Sequence, residues 1–525
     1  MPKNIVICSD GTGNSDVKGR GTNVFKLFEA IDLNGHRTDP SLDPQVAFYD
    51  DGVGTEDLKP LRLLGGAAGL GLARNVRQLY RELARVYDPG DRIFLFGFSR
   101  GAFTVRTLAG MIAACGILNG TDVSRLPTAQ ALARAVDRTY DAYRAGYQSY
   151  LTKLLASLLR WPDRASAVED LHRAYPFHTS VRIAFIGVWD TVDAVGTPFA
   201  LGRVWNTVIY QFKFPTRTLS KIVDRGCHAL SIDEERIAFT PVLWDETPGD
   251  ASRIEQVWFP GVHSNVGGGY PKQGMSLVAL DWMLRQAMDL NDVGRPDVKL
   301  RVHPLDLQLY EGHASVDDKL YDPRAGRGIF YRWAPRNIAK LTDASHVRAK
   351  VHLSALERIA HGTDDYAPGN VPFTARVVIT PTGNPAADAA MQSRADAVEK
   401  VLHHSSLTAP DLLAGVSPQI KLGLASYWAF ILSWALLLAG VVGLTVDAIQ
   451  TPTMTLQAWV LSPWQVILLL ALGGFVVAWY LSRRADRGMS NVFSHFWHQH
   501  QAKLRQALKQ ARAEAATRLK VGDGP

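Results

Sequence analysis

Apolar positions along this chain fall into three patterns. In the first 290 residues they form short solid runs that end in small or polar residues: NIVICSD (4–10), QVAFYDDGVGT (45–55), RIFLFGFS (92–99), VRIAFIGVWD (181–190) and RIEQVWFPGVH (253–263). Solid runs, as opposed to alternating ones, predict parallel strands covered on both faces. Between and after them, residues 65–87, 102–114 and 275–290 carry helical spacing. Strands alternating with helices predict a doubly wound, mostly parallel α/β sheet. In such a sheet the ligand crevice lies beyond the carboxyl ends of the strands.

The second pattern is helical without strands. Residues 121–175 are rich in Ala, Leu, Arg and Tyr and are too long for a simple crossover, so they predict a helical insertion, with a lid as one role. Residues 198–250 and 300–380 show no regular period. Residues 1–380 are therefore expected to form one α/β domain, and 381–421, with several Pro, Asp and Ser, a connector.

The third pattern is two long uncharged runs, 422–446 and 464–481. About 20 mainly apolar residues are enough to span a bilayer. Pro463 stands at the first helical position of the second run, behind Ser462 as N-cap. Tyr427, Trp428, Trp464, Trp479 and Tyr480 lie near the ends, where aromatic belts form. The runs predict a two-helix transmembrane hairpin; a pair of buried core helices is the alternative. Lys421 precedes the first run and Arg483, Arg484 and Arg487 follow the second, while the 447–460 link has no Lys or Arg. By the positive-inside rule, the α/β domain and the C-terminus are expected in the cytoplasm. Residues 483–525 read as a basic amphipathic tail, lying on anionic lipid, with a solvated or partner-binding helix as the alternative.

Composition adds limits. The chain has 525 residues, 47% apolar and 20% charged, which is globular and not disordered. The net charge of +7 is partly lodged in the tail, so no nucleic-acid partner is expected. Cys8, Cys115 and Cys227 are far apart and form no zinc or disulfide pattern. The start MPKNIVICSD is too short in apolar residues for a secretory signal. No metal or other cofactor is implied.

The candidate chemistry begins at Gly97-Phe98-Ser99-Arg100-Gly101. A G-x-S-x-G between a strand and a helix lifts a serine hydroxyl above the sheet on a tight turn. A serine needs a base, and the base needs an acid to hold its tautomer. The order Ser, acid, His is met by Ser99, Asp190 at the end of the 181–189 run, and His263 just past the 254–259 run. Asp193 is the rival acid. Backbone N–H groups of Arg100, Gly11 and Thr12 are the expected oxyanion donors. A phosphatase of the haloacid dehalogenase type would need Asp where Cys8 stands. The GGAAGLG string (65–71) does not follow a strand directly, so helix packing explains it better than nucleotide binding. In HALSIDEER (228–236), Asp233, Glu234 and Arg236 suggest an ion-pair network, and His228 a structural histidine.

Taken together, SDGTGN, YDDGVGT, GDRIFLFGFSRGAF, GVWDTV, HALSIDEER with FTPVLW, and VWFPGVHSNVGGGY resemble the catalytic domain of Tle-type phospholipase effectors of bacterial type VI secretion. The resemblance covers roughly residues 3–290. It implies an α/β-hydrolase fold, hydrolysis of phospholipid acyl esters, and membrane lipid as partner and substrate. By motif it points to Ser99, Asp190 and His263. Asn265 stands where the family often has Asp. The expected function is a membrane-anchored serine hydrolase of lipid esters. The alternatives are a tethered esterase or thioesterase for soluble substrates and a catalytically silent membrane scaffold with a hydrolase fold.

Overall fold

The computed structural model describes residues 2–11, 21–51, 66–145, 164–192, 217–343, 347–406, 412–450 and 462–522. The strands are β1 (Asn4–Ser9), β2 (Gln45–Asp50), β3 (Arg92–Phe98), β4 (Ile117–Leu118), β5 (Phe177–His178), β6 (Ile183–Trp189), β7 (Val223–Ser231), β8 (Ile254–Phe259), β9 (Lys350–His352) and β10 (Arg376–Val378). Eight of them form one sheet in the order β10-β9-β8-β7-β6-β3-β1-β2. Every pairing in it is parallel. β4 and β5 make a small antiparallel ribbon beside it.

The solid apolar runs explain the layering. In β1, Ile5 and Ile7 face one apolar cluster and Val6 and Cys8 face another. In β3, Ile93 and Leu95 alternate in the same way with Phe94 and Phe96. One face is covered by helices Gly66–Val86, Arg100–Cys115 and Ala129–Ala145, the other by Asn23–Ala30 and Gly274–Met288. The α/β-hydrolase-like layout is thus a helix–sheet–helix sandwich. The β1–β2 crossover helix lies on one face and the helix after β3 on the other. The order therefore switches between β1 and β3, which opens a crevice at their carboxyl ends.

Three strands of the eight-stranded sheet were not legible as runs. β7 lies in the middle of the sheet, with all nine residues buried, yet contains Asp224, Arg225 and His228. Tertiary partners satisfy these polar groups: Arg295 pairs with Asp224, and Gln286 accepts from Arg225. β9 and β10 are three residues each, too short to show a period. The described parts of 121–175 pack on the flank formed by helices 66–86 and 100–115, and residues 146–163 lie outside the described residues.

The expected connector holds a 22-residue helix, Pro385–Ser406. Two longer helices follow, Ser417–Gln450 and Pro463–Gly522. Both are long and apolar enough to cross a membrane, and only 17% and 11% of their most apolar stretches is buried. Leu432, Leu438, Val442, Leu469, Leu472 and Val476 are all exposed, which core helices would not allow. The two helices meet through small residues. A Cβ on Gly443 would lie 2.1 Å from the Trp464 ring and one on Gly474 2.2 Å from Ser433 Oγ. The pair supports a multi-pass membrane topology.

The basic tail is not a separate element. It continues the second apolar helix without a break for 60 residues in all, about 90 Å at 1.5 Å per residue. Its apolar side, including Met489, Phe493, Trp497, Leu504 and Leu508, is buried in the cluster that covers the β9–β10 end of the sheet. Trp497 Nε1 donates to the Pro368 carbonyl at 2.7 Å. That face is occupied by the protein itself and is not available to lipid.

Candidate active site

The sheet brings four strand ends together. β3 ends at Phe98, and Ser99 follows with φ 58° and ψ −120°, a left-handed conformation that costs energy for a residue with a Cβ. Neighbouring groups hold it there. Ser99 N–H donates to Trp189 O at 3.0 Å, across to the end of β6. Gly97 and Gly101 let the strand, turn and helix close up. A Cβ on Gly97 would lie 2.6 Å from Gly101 O, and one on Gly101 2.1 Å from Ser9 O. Arg100 then opens the helix, so its N–H lies in the first turn, the positive end of the helix dipole.

Asp190 follows β6 with φ 39° and is fully buried. Its Oδ2 lies 2.6 Å from His263 Nδ1, which makes Nδ1–H the donor and Nε2 the basic nitrogen. Its Oδ1 accepts from Ser231 N–H at 3.1 Å, at the end of β7. Arg336 grips both oxygens, at 2.7 and 2.9 Å. Burial opposes ionisation of Asp190, but the Arg336 guanidinium, with His263, outweighs it and holds the carboxyl well below the usual range.

His263 follows β8 and begins a short helix. Its ring lies between Phe98, at 4.6 Å, and Phe239, at 5.0 Å. Its backbone N–H faces Glu234 Oε2 at 3.3 Å. Nε2 is buried and makes no hydrogen bond, so no bond joins it to Ser99. The structure therefore brings Asp190 and His263 into contact and puts Ser99 on the neighbouring strand end with its Oγ unlinked. Catalytic hydrogen bonds of this kind often close only with substrate bound.

The other expected residues sort as follows. Gly11 N–H donates to the Asp10 carboxylate at 2.6 Å, so that carboxylate already engages the donor. The cause is the burial of Asp10, which gathers nearby donors, Tyr49 O–H among them. Thr12 and Asp193 lie outside the described residues. The ion-pair network in HALSIDEER is Glu234 with Arg236, at 2.8 Å. Asp233 is not part of it and accepts from Gly261 N–H and Tyr366 O–H instead. His228 Nε2 accepts from Thr191 N–H at 3.0 Å, and burial, then Arg106, pushes its imidazole down to about 3. It is a neutral structural acceptor. Among the described residues no group of three or more His, Cys, Asp or Glu is placed to hold a metal ion.

Sequence reasoning missed Arg336. It comes from a stretch without period, and nothing local marks one arginine among many as a partner for a buried carboxylate.

A family model described as the catalytic domain of Tle1-like type VI secretion phospholipase effectors matches residues 3–286. That span holds Ser99, Asp190 and His263 but ends before Arg336. The chain is similar to an uncharacterized protein of Saccharomyces cerevisiae, 27% identical over 259 residues, which is 46% of this chain and 33% of the relative. It thus spans about a third of the length of that curated relative. Among solved structures, an uncharacterized protein from Pseudomonas aeruginosa is 18% identical, with 78% of this chain and 60% of that chain covered at a TM-score of 0.33. The Tle1 effector bound to the VgrG spike of the type 6 secretion system is 16% identical, with 52% of each chain covered at a TM-score of 0.28. The fold itself is defined by the strand order of the eight-stranded sheet.

Proposed function

The chain belongs to the Tle1-like phospholipase effector family through its catalytic domain, and from that membership we propose that it is a membrane-anchored serine hydrolase of lipid acyl esters. Ser99 Oγ attacks the acyl carbonyl carbon while His263 Nε2 takes the hydroxyl proton. Asp190 keeps the proton of the other nitrogen in place and stabilises the imidazolium. The oxyanion is met by first-turn N–H groups of the 100–115 helix, that of Arg100 foremost, with Thr12 N–H as a second donor. The ester C–O bond then breaks, and the leaving alcohol takes the proton from Nε2. Water, deprotonated by the same nitrogen, releases the fatty acid and restores Ser99.

The observation that carries this reading is the 2.6 Å contact of His263 with Asp190 beside the left-handed turn of Ser99. The hairpin supports lipid as substrate, because it holds the crevice close to a bilayer. Lys421, Arg483, Arg484 and Arg487 favour a cytoplasmic catalytic domain. The division into a catalytic domain over 1–380, a connector, a hairpin and a tail belongs to the same reading, with the tail now part of the domain's packing.

The test is fluorophosphonate labelling of full-length protein in detergent, wild type beside Ser99→Ala and His263→Ala, followed by hydrolysis of vesicle phospholipid against short-chain soluble esters. Labelling of wild type alone, with preference for vesicles, is expected. Full esterase activity in folded Ser99→Ala refutes the mechanism. No labelling of folded wild type favours a silent scaffold, and preference for short esters a tethered soluble-substrate esterase. Reporters on both ends and on the 447–460 link check the orientation, and an external N-terminal reporter overturns it.

A further inference from the structure

Arg336 belongs to a segment that joins the membrane hairpin to the site. At one end, Phe330 packs on Phe430 and Trp434 of the first apolar helix, with ring centroids 5.5 and 5.7 Å apart. Phe430 lies less than one turn, and Trp434 nearly two turns, deeper than the Tyr427–Trp428 belt, and neighbouring Ile329 is exposed. Trp333 covers Gly423 of the same helix, where a Cβ would lie 2.4 Å from its ring. Arg324 pairs with Asp486 at 2.8 Å, just past the second apolar run, and with half-buried Glu235 at 3.2 Å.

At the other end the segment touches Asp190 directly and reaches His263 through Phe239. Arg336 holds the two oxygens of Asp190 and also donates to Ser231 O and Phe239 O. Tyr331 packs on Phe239 at 5.5 Å, and Phe239 packs on His263. Backbone bonds Ile237 N–H to Arg332 O and Ala334 N–H to Glu235 O fix the middle. The whole segment lies beyond residue 286, outside the shared catalytic domain.

We propose that Arg336 is a positioning residue for the Asp190–His263 pair, and that the 322–336 strap transmits the seating of the hairpin in a lipid bilayer to that pair. The proposal rests on the hydrolase reading above. A guanidinium on both oxygens stops the carboxylate from rotating away from Nδ1. It also offsets part of the charge that the imidazole feels. The other charged groups facing that imidazole are Glu234 and Arg236, which pair with each other at 2.8 Å. Removing the positive charge of Arg336 leaves the Asp190 carboxylate uncompensated, so the acid limb of the pH–rate profile is expected at higher pH.

The experiment uses full-length protein in phosphatidylcholine–phosphatidylglycerol vesicles, with Arg336→Gln, Arg336→Lys and Phe330→Ala beside wild type. Three quantities are read: fluorophosphonate labelling, kcat and KM across pH, and the His263 imidazole titration by carbon-13 NMR, assigned with His263→Gln. Arg336→Gln is expected to keep KM, lose about 10- to 100-fold in kcat, and move both the acid limb and the His263 titration to higher pH. Arg336→Lys returns the limb to its wild-type position without restoring the full rate. Phe330→Ala lowers kcat in vesicles in the same direction by a smaller factor.

An unmoved limb and an unmoved His263 titration in Arg336→Gln overturn the positioning role. Wild-type behaviour of Phe330→Ala in vesicles overturns the strap. If Arg336→Gln does not fold, wild-type kcat in both Arg336→Lys and Phe330→Ala refutes the proposal. Unlabelled wild type defeats the hydrolase reading instead, and the His263 titration still decides the role of Arg336.

Discussion

His263 Nδ1 and Asp190 Oδ2 are 2.6 Å apart, although 73 positions separate the two residues in sequence. They hang from the ends of β8 and β6, with β7 between them. A buried carboxylate that accepts from imidazole, a backbone N–H and a bidentate arginine has almost no freedom to turn. Asp190→Asn is expected to lower kcat by about 10³- to 10⁴-fold, since an amide cannot hold the tautomer or stabilise imidazolium. It also leaves Arg336 as a buried charge without its counter-ion, a loss of about 3–5 kcal/mol. Steady-state kinetics and urea unfolding in detergent check the two effects separately. Wild-type kcat in folded Asp190→Asn would assign the acid role elsewhere.

The close approach of Gly101 to Ser9 O gives a second prediction. Gly101→Ala must push the 100–115 helix off β1, at about 1–3 kcal/mol, and tilt the turn that aims Ser99. Slower fluorophosphonate labelling and a lower midpoint are expected. Gly312→Ala is the control: nothing lies within 4 Å of its Cβ, and it sits in the Pro304–His313 helix. It is expected to be neutral or to stabilise by about 0.5–1 kcal/mol.

His352 supplies a prediction about pH. Burial keeps this imidazole neutral and pushes it from its ordinary 6.5 down to about 3. It meets Ser354 Oγ and Thr380 Oγ1 and stacks on Phe259. The unfolded chain takes up a proton below pH 6.5, and the folded chain does not until about 3. The stability this group contributes is therefore present above 6.5 and lost as pH falls from there towards 3. His352→Gln is expected to flatten that loss by up to about 1.4 kcal/mol per pH unit. Unfolding midpoints between pH 7 and 4.5 measure the slope, and an unchanged slope refutes the assignment.

Trp497 tests whether the tail belongs to the core. It is 3% exposed and donates to Pro368 O. Trp497→Ala is expected to cost about 3–5 kcal/mol. Trp479→Ala, 58% exposed on the apolar hairpin, should leave the unfolding midpoint of the soluble domain unchanged. Equal midpoints for the two variants in detergent would mean that the tail contributes nothing to that domain.

The sequence by itself determined strands β1, β2, β3, β6 and β8, the helices that cover them, the Ser99 turn and the hairpin. Each rests on a local cause: solid apolar runs, glycines where backbone approaches backbone, and uncharged runs of bilayer length. The order of Ser99, Asp190 and His263 was legible because each ends an apolar run. Tertiary structure decided the rest. β7 reads as polar until Arg295, Gln286 and Thr191 satisfy its side chains, and β9 and β10 are too short to carry a period. The tail reads as a free amphipathic helix until Phe493 and Trp497 meet the β9–β10 end of the sheet. Arg336 acquires its role only when a segment without pattern is folded against a carboxylate 146 residues away. Hydrophobic period reports which face of an element is buried; it does not report what distant polar group will be waiting there.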